Sequence, residues 1–294
     1  MKALVAEYTV FHDPNLAPEG AAMLSTIRSS FERCGYDVVS PESGDFATEL
    51  SRLAPDCDVG LVIAPDNLLG KFTKIVEDHT RNIGCGSLNV ALCANKQRAG
   101  AILAAHGISV PKEQSEGMRL IKKISGVDGL HMRRADEIPA GDEFGQEFIE
   151  GENLSVSIIG SRVVGDTCLS FSGARPLVLA INRQDIREEE GRFRYCGGTT
   201  PVDHPRREEL ISAATQAMDV LGCQGYVGVD IVLADKPYIV DVNPRPTTSL
   251  VGIAQIMEEE IAQLLVDASH GVLPDDVHLK GAVSFLPDGT VNSA

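Results

Sequence analysis

The sequence predicts an α/β protein whose N-terminal part is a parallel, doubly wound sheet. Two observations carry this. Over the first ninety residues, short apolar runs alternate with segments of helical periodicity. Beyond them, glycines at Gly126, Gly129 and Gly141 and a turn near Ala234–Pro237 separate short runs expected to pair antiparallel.

Residues 3–7 are apolar enough for a buried strand. Ala22, Met23, Ile27 and Phe31 then recur on one face of a helix over 20–33, which Gly35 ends. Residues 36–39 and 58–64 read as the next strands, followed by a helix over 71–81. Another helix over 95–106 carries Ala99, Ile102, Leu103 and Ala104 and stops at Gly107. Strands are expected over 119–124, 147–149, 154–159 and 163–170. A helix over 208–221 ends at Gly222, and 227–233 with 238–242 form a hairpin. The tract 184–204, dense in Arg, Glu and Gly, is expected to be a mobile loop. There is no tandem repeat or low-complexity tract.

A chain of 294 residues is long enough for two or three packed units. Its net charge of −16 argues against nucleic acid or an anionic membrane as the main partner, since both require a basic face. The N-terminus lacks the charged and apolar regions of a signal peptide, and no apolar run reaches spanning length. The seven cysteines are scattered without Cys-x-x-Cys, as expected for buried thiols of a cytoplasmic protein. After the first strand the chain reads Glu7-Tyr8-Thr9-Val10-Phe11-His12, so the glycines of a dinucleotide site are missing. The seven histidines have neither ligand nor triad spacing, and Ser155 and Ser157 lie outside any nucleophile-elbow pattern.

The hairpin carries the most chemistry. On a strand, residues two apart share a face, so Asp241 and Asn243 project together, and pairing of the two strands brings Asp230 beside them. Two carboxylates and an amide oxygen make a hard donor set suited to Mg²⁺ that also holds phosphate. Arg245, flanked by Pro244 and Pro246, follows directly and is suited to clamp a phosphoryl group. The bland alternative is a hairpin whose polar residues face solvent.

This pattern, Asp230 with Asp241-x-Asn243-Pro244-Arg245, resembles the metal motif of the ATP-grasp superfamily of carboxylate–amine ligases, with Asp241 where Glu is usual. Lys96, at the start of its helix, is similar to the family's phosphate-contacting lysine. Ile121-Lys122-Lys123-Ile124-Ser125-Gly126-Val127-Asp128-Gly129 resembles its lysine strand and glycine-rich flap, with Lys122 in register. Gln146-Glu147-Phe148-Ile149-Glu150-Gly151-Glu152-Asn153 resembles its adenine hinge. The resemblance implies that Glu147 and Ile149 meet the adenine edge through their backbone, that Gln146 reaches its amino group, and that Glu152 or Asn153 meets the ribose.

The implied fold is ATP-grasp, with a Rossmann-like parallel sheet domain (1–90) and two α+β subdomains (91–150 and 151–294) sandwiching ATP. The implied cofactors are ATP and Mg²⁺, with Mn²⁺ as the alternative ion. Glu7-Tyr8, Glu19-Gly20, Ile181-Asn182-Arg183-Gln184 and Cys196-Gly197-Gly198-x-x-Pro201 further resemble archaeal ligases of methanofuran biosynthesis. That likeness implies L-glutamate, through its γ-carboxylate, and tyramine as substrates, joined through an acyl phosphate. Arg183 and Arg194 are candidates to hold the amino acid's other carboxylate, and Arg245 to stabilise the oxyanion. A ligase of another amino acid, a kinase or carboxylase on the same site, and an ATP sensor without catalysis stay open. So does self-association into a homo-oligomer.

Overall fold

A computed structural model describes residues 1–126, 132–161, 163–164 and 171–293. The alternation of the first ninety residues forms β1 (Lys2–Glu7), α1 (Thr9–His12), α2 (Ala17–Arg33), β2 (Asp37–Val39), α3 (Phe46–Leu53), β3 (Val59–Ile63), α4 (Asp66–Glu77) and β4 (Arg81–Asn82). The strands make one parallel sheet in the order β2-β1-β3-β4. Side chains alternate across β1. Ala3 and Val5 pack in one cluster with Met23, Ile27 and Phe31 of α2, and Leu4 and Ala6 in another with Phe46, Leu50, Leu69 and Phe72. Helices thus cover both faces, which is why β1 and β3 are apolar on both sides.

Two helices differ in their bounds by more than one residue: α2 begins three residues before the expected start at Gly20, and α4 moves at both ends. The helix expected over 71–81 starts at Asp66 and ends at Glu77, because Pro65 enters it with extended backbone and Arg81 already belongs to β4. Next come α5 (Ser87–Cys93) and α6 (Lys96–Ala105). The Asn95 side chain caps α6 by accepting from the Arg98 N–H at 2.9 Å.

The rest of the chain builds a second sheet. Its strands are β5 (Arg119–Lys123), β6 (Arg133–Ala135), β7 (Glu143–Gln146) and β8 (Glu152–Gly160), then, after the short pair β9 (Val163–Val164) and β10 (Phe171–Ser172), β11 (Leu177–Glu189) and β12 (Arg192–Thr200). After α7 (Arg207–Leu221) come β13 (Gly225–Leu233), β14 (Pro237–Asn243), α8 (Ser249–Ile256), α9 (Ile261–Ser269), β15 (Val283–Phe285) and β16 (Val291–Ser293). The pairing is antiparallel, in the order β14-β13-β8-β11-β12-β6-β5-β7, with β15 beside β12 and β16 beside β15.

Period-two alternation divides this sheet as well. Leu154, Val156, Ile158, Val227, Val229 and Ile231 cluster with Leu210, Ala214 and Met218 of α7. Ile159, Leu177, Leu179 and Tyr226 cluster with Leu250, Ile253 and α9. Gly222 ends α7 in the left-handed region at φ +68°, a conformation that costs a glycine little. Among the described residues no helix is long and apolar enough to cross a membrane.

Three expectations change. Residues 184–204 are not a loop: they belong mostly to β11 and β12, paired from Arg183–Thr199 to Glu189–Arg192 and reversing at Glu190 and Gly191. The charge density is that of a ribbon whose tip is solvated, and Ile186, Phe193 and Tyr195 keep the strand alternation. Residues 147–149 are not a strand; the strand is β7, and the chain beyond it is an irregular connection into β8. Of the strand expected over 163–170, residues 165–170 lie outside the described residues, as do Asp128 and Gly129 of the expected flap.

Candidate active site

The second sheet, with Glu19 of α2 and Asp66 of α4 at its border, lines a cleft of about 660 Å³. Its floor is the hairpin β13–β14. Asp230 and Asp241 are direct partners in its register, and Gly228 pairs with Asn243, so all three polar side chains emerge on one face. A bulge follows: Asp230 pairs with Asp241 but Ile231 with Ile239, which makes Val240 the extra residue. Lys122 donates to the Val240 carbonyl at 2.8 Å. The bulge also resets the alternation, so Ile239 returns to the core.

Asp230 accepts from Gln184 Nε2 at 2.9 Å on one oxygen and from Asn243 Nδ2 at 3.0 Å on the other. Burial, reinforced by the charge of Asp241, pushes its carboxyl up to about 7. Burial acts on Asp241 in the same direction, but Lys96 and Lys122 outweigh it and hold that carboxyl below its ordinary range. Lys96 donates to Asp241, and reaches Asp66 at 3.4 Å. Arg245 Nε donates to the other oxygen of Asp66, also at 3.4 Å. Burial works against the Arg245 charge, and Asp66, Glu19 and Asp241 more than offset it. Four charges therefore alternate in sign, from Arg245 through Asp66 and Lys96 to Asp241, the inner two buried and the outer two partly exposed.

This donor set fits a divalent cation that arrives with phosphate. Asn243 spends its Nδ2 on Asp230, which leaves its Oδ1 to face an ion, and both carboxylates supply hard oxygens. Among the described residues no three His, Cys, Asp or Glu side chains converge into a metal-holding group. The protein thus supplies part of a coordination shell, as suits Mg²⁺ that keeps water and phosphate ligands.

Of the residues singled out from sequence, Lys96, Lys122, Gly126, Gln146, Glu147, Ile149, Asn153, Arg194, Asp230, Asp241, Asn243 and Arg245 all line this one cleft. Two do not. Arg183 pairs in register with Leu154, and Glu152 lies two residues before Leu154, so both belong to the face that carries α7. There Arg183 Nε donates to Glu152 at 3.1 Å, and Glu152 also meets His204 at 3.2 Å. The same alternation brings Asn153, Ser155, Asn182 and Gln184 to the opposite face. The Glu147 N–H donates to the Lys112 carbonyl at 2.8 Å, so of its two backbone groups only the carbonyl is left for a ligand.

Gln184 and Glu19, noted in the sequence only as part of segments carrying the likeness, and Asp66 and Tyr195, not singled out there, line the cleft too. Burial, with the charges of Glu19 and Asp230, raises the Tyr195 hydroxyl well above its ordinary pKa, so it stays protonated. Thr248 donates to Glu19, tying α2 to the entry of α8. Below the floor lies a buried polar network. Asn182 donates to Ser155 and Ser157 at 3.1 and 3.0 Å, and the Tyr226 hydroxyl meets Ser157 at 2.9 Å, Thr247 at 3.2 Å and Ser249 at 3.3 Å. It fastens β8, β11 and β13 to the segment that carries Arg245.

The sequence model of the ATP-grasp domain family matches residues 93–249. The tyramine–L-glutamate ligase of Methanocaldococcus jannaschii is 31% identical over 283 residues, covering 87% of this chain and 84% of that one. The enzyme of the same name from Methanocaldococcus fervens is 30% identical over 293 residues, covering 90% and 92%. Among solved structures, an ATP-grasp superfamily protein from Archaeoglobus fulgidus superimposes with a TM-score of 0.80 at 25% identity, covering 97% of this chain and 92% of that one.

Proposed function

The chain belongs to the ATP-grasp superfamily, as an ADP-forming carboxylate–amine ligase, and from that premise we propose that it joins the γ-carboxylate of L-glutamate to tyramine through an acyl phosphate. The observation that carries the reading is the shared cleft: cations, paired carboxylates and the irregular hinge after β7 line one cavity. The substrates come from the two relatives of that name, at 30 and 31% identity over most of both chains.

In this reading adenine lies against residues 146–149, where the Glu147 carbonyl accepts from its amino group and the Ile149 N–H donates to its ring. Leu120, Val232 and Val240 supply apolar walls, and Asn153 faces the ribose. Lys96 and Lys122 offset phosphate charge, and Gly126 lets the chain approach the phosphates closely. Asp230, Asp241 and Asn243 would hold Mg²⁺, which when bound neutralises the triphosphate and polarises its terminal phosphorus. The chain's own contribution is then positioning and charge, and no nucleophilic side chain is required. The acid's carboxylate attacks the γ-phosphoryl group and ADP leaves; the amine attacks the acyl phosphate and inorganic phosphate leaves. Arg245 stabilises the oxyanion of the second step. Arg183 is on the far face, and Arg194, which pairs with Arg187 and sits between Phe193 and Tyr195 on β12, projects away from the face those two share, so neither arginine is assigned to the substrate's second carboxylate.

The test is mass spectrometry of the product from L-glutamate, tyramine and Mg–ATP, with ADP and phosphate quantified. The reading expects γ-glutamyltyramine with one ADP and one phosphate per amide. Amide formation with a different acid or amine from a panel would move the substrates and keep the chemistry. ATP bound without turnover in the presence of any acid and amine would favour the sensor.

A further inference from the structure

The carboxylate that organises the cationic side of the cleft lies outside both the hairpin and the family-matched segment. Asp66 is the first residue of α4, in the parallel-sheet part of the chain. Its side chain is 7% exposed and meets two cations from two other segments. Oδ1 takes the Arg245 Nε and Oδ2 the Lys96 Nζ, each at 3.4 Å. The carboxylate is itself well held. The α4 N-terminus favours a negative charge at this position, and Leu69, Phe72 and Val76 lock the helix into the core.

We infer that Asp66 is a positioning residue: it orients the Arg245 guanidinium and sets where the Lys96 ammonium rests between the two sheets. Both its oxygens already serve these cations, so it acts on substrate through them. The guanidinium is constrained twice. Asp66 holds Nε, and the Pro246 carbonyl takes Nη1 at 3.3 Å. The Nη2 donors and the second Nη1–H are what Arg245 then presents to a ligand, in a plane fixed from α4. A flexible arginine would have to be ordered during each turnover; this one is ordered in advance. The parallel sheet thereby enters the chemistry through one residue. The kinetic part of this inference rests on the ligase reading above.

The experiment compares the full-length wild type with Asp66→Asn, Arg245→Gln and the double variant, each checked for its thermal midpoint. Asp66→Asn is expected to lower kcat by about 100-fold, the scale of losing precise placement of a catalytic group. In the Arg245→Gln background the same change should lower kcat by no more than about tenfold, because only its contact with Lys96 then remains. A loss of equal size in both backgrounds would overturn the inference and mark Asp66 as structural only. So would an unchanged kcat in Asp66→Asn. If Asp66→Asn does not fold, Asp66→Glu carries the test, since it keeps the charge and moves it by one methylene. A wild type that forms no amide overturns the ligase reading alone. The assignment is then decided by the ¹⁵Nε–H resonance of Arg245, which shifts in Asp66→Asn if the contact holds and stays in place if it does not.

Discussion

Replacing Lys96 by Met tests the buried charge chain at its centre. Met keeps most of the stem volume and removes the ammonium, whose side chain is 3% exposed between Asp66 and Asp241. At 3.4 Å and an effective dielectric of about 20, one such contact amounts to about 5 kcal/mol before desolvation is counted. Removing one member of a buried ion pair leaves the other charge uncompensated, and the measured cost of that is about 3–5 kcal/mol. Asp241 keeps the Val242 N–H at 2.9 Å and the field of Lys122, and Asp66 keeps Arg245, so the cost is taken within that range. For a chain of this size that corresponds to a fall in Tm on the order of 10 °C. Nucleotide binding should weaken as well, because a charge-assisted contact to phosphate is worth about 1.5–3 kcal/mol, or roughly 10–100-fold in Kd. Scanning calorimetry gives the first quantity and titration calorimetry with Mg–ADP the second. A Tm within about 2 °C of the parent together with unchanged Mg–ADP affinity would refute the charge chain.

Two further perturbations probe the scaffold of the site. The Arg133 hydrogen bonds, at 2.7 and 3.0 Å, hold the Glu143 carboxyl down from its usual 4.5 to about 2. A carboxyl with a depressed folded-state pKa stabilises the protein above its unfolded value and loses that contribution as pH falls through the folded one. After discounting for solvent, Glu143→Gln should cost about 1–2 kcal/mol at pH 7 and nothing once the pH is well below the folded-state value, so acid titrations of parent and variant converge; a gap that stays constant with pH contradicts this. Tyr226→Phe removes a hydroxyl shared by Ser157, Thr247 and Ser249, which keep bonds to one another at 2.9 and 3.2 Å. Denaturant unfolding should record a loss of about 1–2 kcal/mol, and an unchanged midpoint would show that the hydroxyl contributes nothing.

Much of this was legible because period-two alternation and turn chemistry are local. The pairing of Asp230 with Asp241 follows from two apolar strands and a four-residue turn, and the stop at Gly222 follows from residue type alone. Charge density misled at 184–204, where Arg and Glu decorate a solvated ribbon while Ile186, Phe193 and Tyr195 keep the strand rhythm. The same alternation explains Arg183. Had it been counted from Asn182, it would have given the cleft to Gln184 and the opposite face to Arg183; likewise it separates Asn153 from Glu152. Asp66 and Glu19 were out of reach for a different reason. Their roles depend on how the parallel sheet meets the hairpin, across 179 positions from Asp66 to Arg245 and 229 from Glu19 to Thr248, and no local pattern encodes such a contact. The bulge at Val240 was equally hidden, since both registers of the hairpin satisfy the apolar pattern.

The central claim is that the acid is activated as an acyl phosphate, and isotope transfer tests it most directly. L-Glutamate labelled with ¹⁸O in its γ-carboxylate is turned over with tyramine and Mg–ATP, and the released phosphate is analysed by mass spectrometry. The account predicts one ¹⁸O atom in each phosphate formed, with ADP as the nucleotide product. Amide formation accompanied by unlabelled phosphate, or by AMP carrying the label, would contradict it.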